Sequence, residues 1–220
     1  MTHDAKLAAV IDHTLLDPSA DISAITQAVN IAFRYQCASV CLNSSRVQAA
    51  AAIAAGTDLT ICTVIGFPSG ATTTTSKAAE TAEARENGAT EFDMVLHLGQ
   101  FFDGDFAGIA ADVAAVKKAA GENIVKVIIE SAALGSLDNI AQASRISVEA
   151  GADYVKTSTG YHASGGATVE AIAAMRAAVG PDIGVKASGG IRTLEDAQAM
   201  LAAGASRIGA SKTTTIIGAE

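Results

Sequence analysis

Short apolar runs alternate with longer stretches along this chain, and the alternation repeats eight times after residue 10. Most of the runs are rich in β-branched residues, which is typical of parallel strands that are packed on both faces. The runs lie at residues 11–16, 38–42, 59–65, 91–98, 124–130, 154–157, 183–186 and 207–209. The pattern predicts eight strands, each followed by a helical stretch.

The stretches between the runs carry helix start and stop signals. Thr193 is placed to cap a helix N-terminus, with Asp196 at the capping-box position. Asn87-Gly88 and Ala150-Gly151 are placed to end helices. A unit of helix stop, loop and strand recurs three times in similar sequence. A quasi-repeat of about 25–35 residues is typical of an array of βα units.

Eight βα units in 220 residues predict a single domain, residues 1–220, with the TIM (β/α)8 barrel fold of the α/β class. A doubly wound open sheet is the alternative. In a barrel, polar side chains at the carboxyl ends of the strands face the active site. The polar residues at such positions are Asp12, Asn43, Asp93, Glu130, Lys156, Lys186 and Ser211.

The charge and composition of the chain limit the classes of molecule that it is expected to bind. The formal net charge is −8 and no basic run exists, which argues against nucleic acid as a partner. It leaves room for a small phosphorylated ligand held by backbone amides and a helix N-terminus. The N-terminal residues have no signal-peptide pattern, and no apolar run approaches the ~20 residues of a membrane span. We expect a cytoplasmic protein without membrane contact, and a homodimer as the default assembly.

Cysteine and histidine positions bear on metal binding. Cys37, Cys41 and Cys62 are odd in number and show no CxxC spacing, so they are interpreted as reduced core thiols. The four histidines, which have no mutual metal spacing, are His3, His13, His97 and His162. We therefore expect no metal site and no cofactor.

Two lysines lie in similar settings thirty residues apart. Lys156 and Lys186 are each the only charge in a short run of apolar or small residues that ends in glycine. An unpaired ammonium in an apolar site has a lowered pKa, and a second ammonium nearby would lower the pKa further. The pair therefore predicts a neutral, nucleophilic amine suited to Schiff-base chemistry. The alternative is that each lysine extends from a strand end to solvent.

Three more charged residues accompany these lysines. Asp93 lies in an otherwise apolar strand, where it serves either as a general acid/base or in a structural salt bridge. Lys126 lies in another apolar strand and is expected to pair with Asp93 or Glu130, as a structural ion pair or as part of a proton relay. Asp12 is expected to play a supporting part.

Glycine-rich segments end the last three predicted strands. Gly160, Gly189 and Gly190 allow backbone N–H groups to approach an anion, and Ser211 lies at the same predicted rim. The loops after strands seven and eight of a TIM barrel frequently bind phosphate. Each glycine cluster taken alone is more readily explained as a turn than as a ligand site. Together they predict a phosphate site.

Six segments resemble the deoxyribose-phosphate aldolase family, and the resemblance covers residues 11–211. They are Ile-Asp-His-Thr-Leu-Leu at 11–16, Cys-Thr-Val-Ile-Gly-Phe-Pro at 62–68, Phe-Asp-Met-Val at 92–95, Val-Lys-Val-Ile-Ile-Glu at 125–130, Val-Lys-Thr-Ser-Thr-Gly at 155–160 and Gly-Val-Lys-Ala-Ser-Gly-Gly-Ile-Arg at 184–192. The resemblance implies a metal-free class I aldolase. Such an enzyme reversibly cleaves 2-deoxy-D-ribose 5-phosphate to D-glyceraldehyde 3-phosphate and acetaldehyde.

The resemblance also implies roles for individual residues. Lys156 would form the Schiff base, and Lys186 beside it would keep that amine neutral and transfer protons. Asp93 would act as acid and base through a water, with Lys126 and Asp12 supporting the relay. The residues that would hold the phosphate are Gly160, Gly189, Gly190 and Ser211.

Departures from the family pattern occur at Asp17, His97 and the segment Lys212-Thr213-Thr214-Thr215. The sequence ends at Glu220 without the tyrosine-ended tail of some family members, so we expect protonation to rely on the pocket alone. Two rival hypotheses remain: a Schiff-base aldolase for a longer phosphorylated sugar, and a non-catalytic phosphosugar-binding barrel.

Overall fold

The computed structural model describes residues 4–219. His3 and Glu220, which enter two of the expectations above, lie outside that range. Eight parallel strands follow one another in chain order, and the last strand pairs with the first to close a barrel. The TIM-barrel prediction is confirmed. The alternative of an open doubly wound sheet is wrong, because this closing pair leaves the sheet without free edges.

The strands are β1 (Ile11–Leu15), β2 (Ser39–Leu42), β3 (Ile61–Ile65), β4 (Glu91–Val95), β5 (Ile124–Ile128), β6 (Tyr154–Lys156), β7 (Gly184–Ser188) and β8 (Arg207–Ala210). The helices are α1 (Ala5–Ala8), α2 (Ile22–Arg34), α3 (Val47–Ile53), α4 (Thr74–Glu86), α5 (Leu98–Phe102), α6 (Phe106–Ala120), α7 (Ser131–Leu134), α8 (Leu137–Glu149), α9 (Val169–Val179), α10 (Leu194–Ala202) and α11 (Thr213–Ile216). One 3-10 turn, Ser44–Arg46, precedes α3. No helix within residues 4–219 is long and apolar enough to cross a membrane.

Element boundaries show where the hydrophobic pattern was informative. Thr193 and Asp196 form the expected capping box at the start of α10. The fourth strand was predicted to residue 98, but β4 ends at Val95 and His97 caps α5. Leu96 is buried although it lies outside the strand. The apolar run at residues 91–98 predicts which residues are buried, and burial continues after β4 has ended.

Alternation along the strands separates two environments. On β5, Val125 and Val127 belong to the main hydrophobic core, which also includes apolar residues of the surrounding helices. Lys126 lies between them and points into the barrel, where it contacts residues of β1, β3 and β4. A smaller apolar cluster inside the barrel consists of Leu16, Cys41, Cys62 and Val64. The aliphatic core therefore lies outside the barrel, and much of the interior is left to polar side chains.

A buried ion pair outside the barrel holds the carboxyl end of β4. Lys77 of α4 donates a hydrogen bond to the carbonyl of Val95 (2.9 Å) and another to Asp112 of α6 (2.5 Å). Lys77 is fully buried, and its chain spans the layer between the helices and the strand. Because Asp93 lies two residues before Val95, this contact helps to position a central residue of the site described below.

His13 provides a pH-dependent test of how β1 packs against the C-terminal segment. Its Nδ1 lies 2.8 Å from the hydroxyl of Thr213 in α11, and burial lowers its pKa from 6.5 to about 4. The unfolded chain therefore binds a proton that the folded chain excludes between these pH values. We expect the free energy of unfolding to fall by roughly 3 kcal/mol as the pH drops through this window.

The measurement is urea unfolding at a series of pH values for the native chain and for His13→Gln, which cannot titrate. The difference between the two proteins removes the contribution of the carboxylates. We expect this difference to change between pH 6.5 and about 4. Parallel stability curves over that range would contradict the prediction.

Candidate active site

A buried carboxylate, Asp93 of β4, accepts hydrogen bonds from three lysines. Its Oδ2 lies 2.7 Å from the Nζ of Lys156 and 2.7 Å from the Nζ of Lys186. Its Oδ1 lies 2.8 Å from the Nζ of Lys126. Asp93 is completely buried, so the three lysines compensate for the hydration that its charge has lost. The structure thus brings together four of the five predicted catalytic residues around one carboxyl group.

Strand register places these side chains at matching depth. Lys156 and Lys186 are direct partners across β6 and β7, and Asp93 and Lys126 are partners across β4 and β5. The expectation that the two lysines meet inside the barrel is confirmed. Parallel strands about 5 Å apart bring in-register, inward-pointing side chains within reach of one acceptor.

Asp12, the fifth predicted catalytic residue, lies beside Asp93. Its Oδ2 accepts from Lys186 at 2.5 Å, and its Oδ1 accepts from Ser39 at 2.7 Å. Burial by itself would raise the pKa of Asp12, but Lys186, Lys126 and Arg207 hold it below its usual value. Asp12 is therefore a carboxylate that shares Lys186 with Asp93.

The premise that the two lysines are unpaired ammonium groups is wrong. Burial would lower the pKa of Lys186, yet Asp12 and Asp93 raise it above its usual value. Burial would raise the pKa of Asp93, yet Lys126, Lys156 and Lys186 hold it well below its usual value. The sequence pattern identified the lysines but did not show how many carboxylates the fold would place beside them.

The pairing of Lys126 differs in one respect from expectation. It contacts Asp93, as predicted, and also Glu91 at 2.5 Å and Asp12 at 3.7 Å. It does not pair with Glu130, whose carboxylate accepts instead from the backbone N–H of Thr159 at 2.7 Å. Glu130 lies beyond the end of β5 in the left-handed region, and its side chain reaches the loop after β6.

Lys156 is the member of the lysine cluster that reaches open space. It lines a cavity of about 190 Å³ at the carboxyl ends of β6, β7 and β8, whereas Lys126 and Lys186 do not. It has one carboxylate partner, while Lys126 has three and Lys186 has two. A larger groove of about 650 Å³ runs along α2 on the outer surface, away from this cluster.

Most residues predicted to bind phosphate lie at the same cavity. Gly189, Gly190 and Ser211 line it, together with Arg192. Gly160 is not among the lining residues, but its Cα lies against Gly189, with which a Cβ would make contact at 3.8 Å. The three glycines have φ between +83° and +88°, a range that side chains rarely adopt. These residues therefore lie close together, and the backbone at the three glycines disfavours other residues; that they bind phosphate stays a prediction.

The departure at Lys212–Thr215 has a structural role. Lys212 is the cap residue of α11, and Thr213 is buried against His13. The segment directly follows Ser211, which lines the cavity. It is therefore a helix start that packs against β1.

Two charged residues of the barrel interior were not predicted from the sequence. Glu91 is the first residue of β4 and Arg207 the first of β8, so neither lies at the carboxyl end of a strand, where active-site residues of a barrel are expected. Arg207 donates to Asp12 at 2.9 Å and to Glu91 at 3.3 Å. The spacing of Glu91 and Asp93 on β4 was a usable signal, since alternate residues of a strand share a face.

Tyr161 was also missed, and no sequence signal marked it. Its hydroxyl donates to the carbonyl of Leu16 at 3.0 Å, and its ring meets Phe67 edge-on with centroids 5.3 Å apart. The loop after β6 is thereby tied to the segment after β1 across the mouth of the barrel. Leu16 lines both the Lys156 cavity and a neighbouring cavity that Phe67 and Tyr161 also line.

Two groups of buried side chains have metal-ligand types within 4.8 Å of one another: Cys41, Cys62 and Asp93, and Asp12, Cys62 and Glu91. The three acids in these groups already form ion pairs with lysine or arginine. A cation would have to displace those partners. All three cysteines are free and buried, as expected, and the absence of a metal site stays a prediction.

Comparison with known proteins identifies the class of this barrel. The profile of the DeoC/LacD family aldolases matches residues 6–217. Deoxyribose-phosphate aldolase of Brevibacillus brevis is 53% identical over 207 residues, which is 94% of this chain and 93% of that protein. The Streptococcus gordonii deoxyribose-phosphate aldolase is 51% identical over 215 residues, 98% of this chain and 97% of that protein.

A solved structure agrees with these relatives. The deoxyribose phosphate aldolase from Aeropyrum pernix superimposes with a TM-score of 0.91 at 32% identity, covering 98% of this chain and 91% of that one. Fold, site and relatives together define a TIM-barrel carbon–carbon lyase. The chain belongs to the DeoC/LacD aldolase family, and the resemblance to deoxyribose-phosphate aldolase is confirmed.

Replacing Asp93 by asparagine tests how far the lysine cluster depends on one carboxylate. Removing one partner of a buried ion pair typically costs 3–5 kcal/mol, because charges remain buried without compensation. We expect Asp93→Asn to lower the free energy of unfolding at pH 7 by about that amount, measured by urea unfolding.

The matched control is Asp153→Asn. Asp153 accepts from Lys117 at the same 2.7 Å, but its side chain is 38% exposed. We expect a loss within about 1 kcal/mol for this exposed pair. Equal losses in the two variants would contradict the view that burial makes Asp93 decisive.

Proposed function

We propose that this protein reversibly cleaves 2-deoxy-D-ribose 5-phosphate into D-glyceraldehyde 3-phosphate and acetaldehyde through a Schiff base on Lys156. The observation that carries the proposal is the position of Lys156, which joins a carboxylate-bound lysine cluster to the cavity. The relatives at about half identity are named deoxyribose-phosphate aldolases, which supports the choice of substrate.

The choice of Lys156 as nucleophile follows from its contacts. Removing a proton from Lys126 or Lys186 would weaken ion pairs with two or three carboxylates at once. Within residues 4–219, the Lys156 ammonium pairs with a single carboxylate oxygen, Asp93 Oδ2, and that oxygen keeps Lys186 as a partner when Lys156 becomes neutral. The charge of Asp93 therefore stays compensated while the Lys156 amine attacks.

In the proposed reaction, the neutral amine adds to the aldehyde carbon C1 of the open-chain sugar, and the carbinolamine loses water to give an iminium. The C3 hydroxyl then loses its proton and the C2–C3 bond breaks. Its electron pair forms the enamine between C1 and C2, because the iminium nitrogen is an electron sink. Protonation at C2 and hydrolysis release acetaldehyde and restore Lys156.

Proton transfers fall to the groups around Asp93. Its carboxylate is ionised at neutral pH, because the three lysines hold its pKa well below the usual value, and it can accept a proton directly or through a water. Lys186 lies 2.7 Å from the same oxygen as an ammonium and can donate. Lys126 and Asp12 extend the hydrogen-bonded chain of the relay.

The phosphate is proposed to bind at the glycine rim. Gly189, Gly190 and Ser211 line the cavity beside Lys156, and Arg192 adds a positive charge. The N-terminus of α10 begins two residues after Arg192 and favours an anion nearby. Gly160 supports the rim from the neighbouring loop.

Several accompanying expectations belong to this proposal. We infer that the enzyme works without metal or cofactor, since the lysine imine supplies the electron sink. A cytoplasmic homodimer stays a prediction, and the Aeropyrum relative is described as a tetramer. The net charge of −8 gives no support to nucleic acid as a partner.

Borohydride trapping tests the proposed nucleophile. The protein is incubated with acetaldehyde or with 2-deoxyribose 5-phosphate, reduced with borohydride and analysed by peptide mass spectrometry. We expect a reduced two-carbon adduct on Lys156 that disappears in Lys156→Met. The control Lys118→Met, which alters an exposed lysine on α6, should leave trapping unchanged.

An adduct on another lysine would refute the assignment while keeping the class of mechanism. Ligand binding without an adduct or turnover would favour the phosphosugar-binding barrel. Preference for dihydroxyacetone over acetaldehyde as donor would instead favour an aldolase for a longer sugar.

Gly189→Ala tests the phosphate rim. A Cβ at Gly189 would lie 3.0 Å from the Cα of Gly166, at a φ of +88° that disfavours alanine. We expect the KM for 2-deoxyribose 5-phosphate to rise about 10- to 100-fold through weakened phosphate hydrogen bonds, with a smaller change for unphosphorylated 2-deoxyribose.

The control is Gly180→Ala, at a similar φ of +76° but with open space around the new methyl group. Gly180→Ala introduces similar backbone strain at a position that does not line the cavity, so we expect native steady-state kinetics. A comparable rise in KM for both substrates in Gly189→Ala would argue against a phosphate contact.

A further inference from the structure

The charged residues inside the barrel form a closed ring of ion pairs with alternating sign. Each carboxylate lies between two cations, and successive N···O distances are between 2.5 and 3.3 Å. In order around the ring, the members are Asp12, Arg207, Glu91, Lys126, Asp93 and Lys186. We call this set the ion-pair ring.

The ion-pair ring is neutral by itself, since its three acids balance its three bases. Lys156 is a seventh charged group, and among the described residues its ion pair with Asp93 links it to the ring. With all seven groups ionised, this set therefore carries one positive charge in excess. Lys156 is the lysine whose deprotonation removes this excess without breaking the ring.

Glu91 and Arg207 belong to the ring but not to the cavity. Neither residue lines the space beside Lys156, and both begin their strands at the opposite end of the barrel. Arg207 bridges Asp12 and Glu91 with its two terminal nitrogens, and its guanidinium lies over the ring of Tyr154 at 5.6 Å. Their contacts with the reacting groups run through Lys126 and Asp12.

Burying the Glu91–Arg207 ion pair costs desolvation free energy, so its presence inside the barrel calls for an explanation. Well-packed apolar side chains are often as stabilising as a buried ion pair, or more so. The side chains of Glu91 and Arg207 are only 6% and 12% exposed, so water screens them little. In such surroundings each charge acts strongly on the other members of the ring.

We propose that Glu91 and Arg207 are positioning residues that set the charge balance of the ion-pair ring and thereby control how readily Lys156 releases its proton. The proposal rests on Lys156 being the nucleophile. Removing the negative charge of Glu91 enlarges the positive excess and favours the neutral Lys156 amine. Removing the positive charge of Arg207 cancels the excess and favours the ammonium.

Other titratable groups also face the ring. Cys62 of β3 lies 3.3 Å from Asp93 and 3.4 Å from Lys126, and burial raises its pKa well above the usual value, so it is a neutral thiol. Cys41 of β2 is its strand partner, and a hydrogen bond with Cys62 lowers the pKa of Cys41. Tyr154 of β6 contacts Arg207. Cys37 also lies near ring member Asp12; burial and then Asp12 raise its pKa to about 12, so it is a neutral thiol as well.

The test is the pH dependence of kcat/KM for 2-deoxyribose 5-phosphate cleavage, whose acidic limb reports loss of a proton from the free enzyme. We expect Glu91→Gln to move this limb to lower pH and Arg207→Met to move it to higher pH, each by about one unit. The double variant should return the limb towards its native position, because the charge balance is restored. The rate of borohydride trapping at Lys156 should follow the same shifts.

A merely structural role predicts another result. Both single variants would lose activity or stability with the limb unmoved, or moved in one direction, and the double variant would be worse than either. That outcome overturns the proposal. Repeating the comparison in a Cys41→Ala background removes the nearby thiol, and loss of the opposed shifts there would also overturn it.

Charge-conserving variants provide a second arm if a neutral variant does not fold. Glu91→Asp and Arg207→Lys change the geometry of the ion-pair ring but not its charge count. We expect their acidic limbs to stay at the native pH even where kcat falls. A limb displaced by about one unit in these variants would overturn the proposal.

Failure of the inference and failure of the proposed function are distinguishable. If the native enzyme forms no Lys156 adduct and does not cleave the substrate, the proposed function is wrong. If the native enzyme does both and the variants show no opposed shifts, only the role of Glu91 and Arg207 is wrong.

Discussion

The burial of the Asp93 carboxylate among three lysine side chains is the interaction on which the site depends. A carboxylate without partners would be strongly disfavoured in this position, and so would three ammonium groups without carboxylates. Each makes the burial of the other possible. The hydrogen bonds of 2.7 to 2.8 Å around Asp93 therefore hold all three lysines in fixed positions before any substrate arrives.

The fold accommodates these buried charges because other parts of the structure stabilise it. The main hydrophobic core lies between the strands and the surrounding helices, while the inward faces of several strands carry charge. On β5, Val125 and Val127 stabilise the barrel and Lys126 serves the site. Alternation along one strand thus assigns packing and chemistry to opposite faces.

The carboxyl ends of the strands add what the interior lacks, a surface that can receive a ligand. Glycines in left-handed conformations let the loops after β6 and β7 approach each other closely, so that Gly166 has no space for a side chain against the Gly189 carbonyl. Tyr161 ties the first of these loops to Leu16 across the barrel mouth. The cavity is therefore lined by residues of these loops and by Lys156, the member of the lysine cluster that reaches it.

Local signals in the sequence, namely strand periodicity and lone charges in apolar runs, were sufficient to predict the βα alternation, the barrel, and Asp93 with the three lysines that contact it. The sequence also indicated Asp12 and the glycine rim. The family match and the relatives support the family that the sequence motifs indicated. Which ions pair was decided only by the tertiary structure. Lys126 contacts Glu91 and not Glu130, and Arg207 joins Asp12 across 195 positions of sequence, because barrel closure and strand register set those distances. The electrostatic state of the lysines depends on the number of carboxylates within about 3 Å, a quantity that only the closed barrel defines.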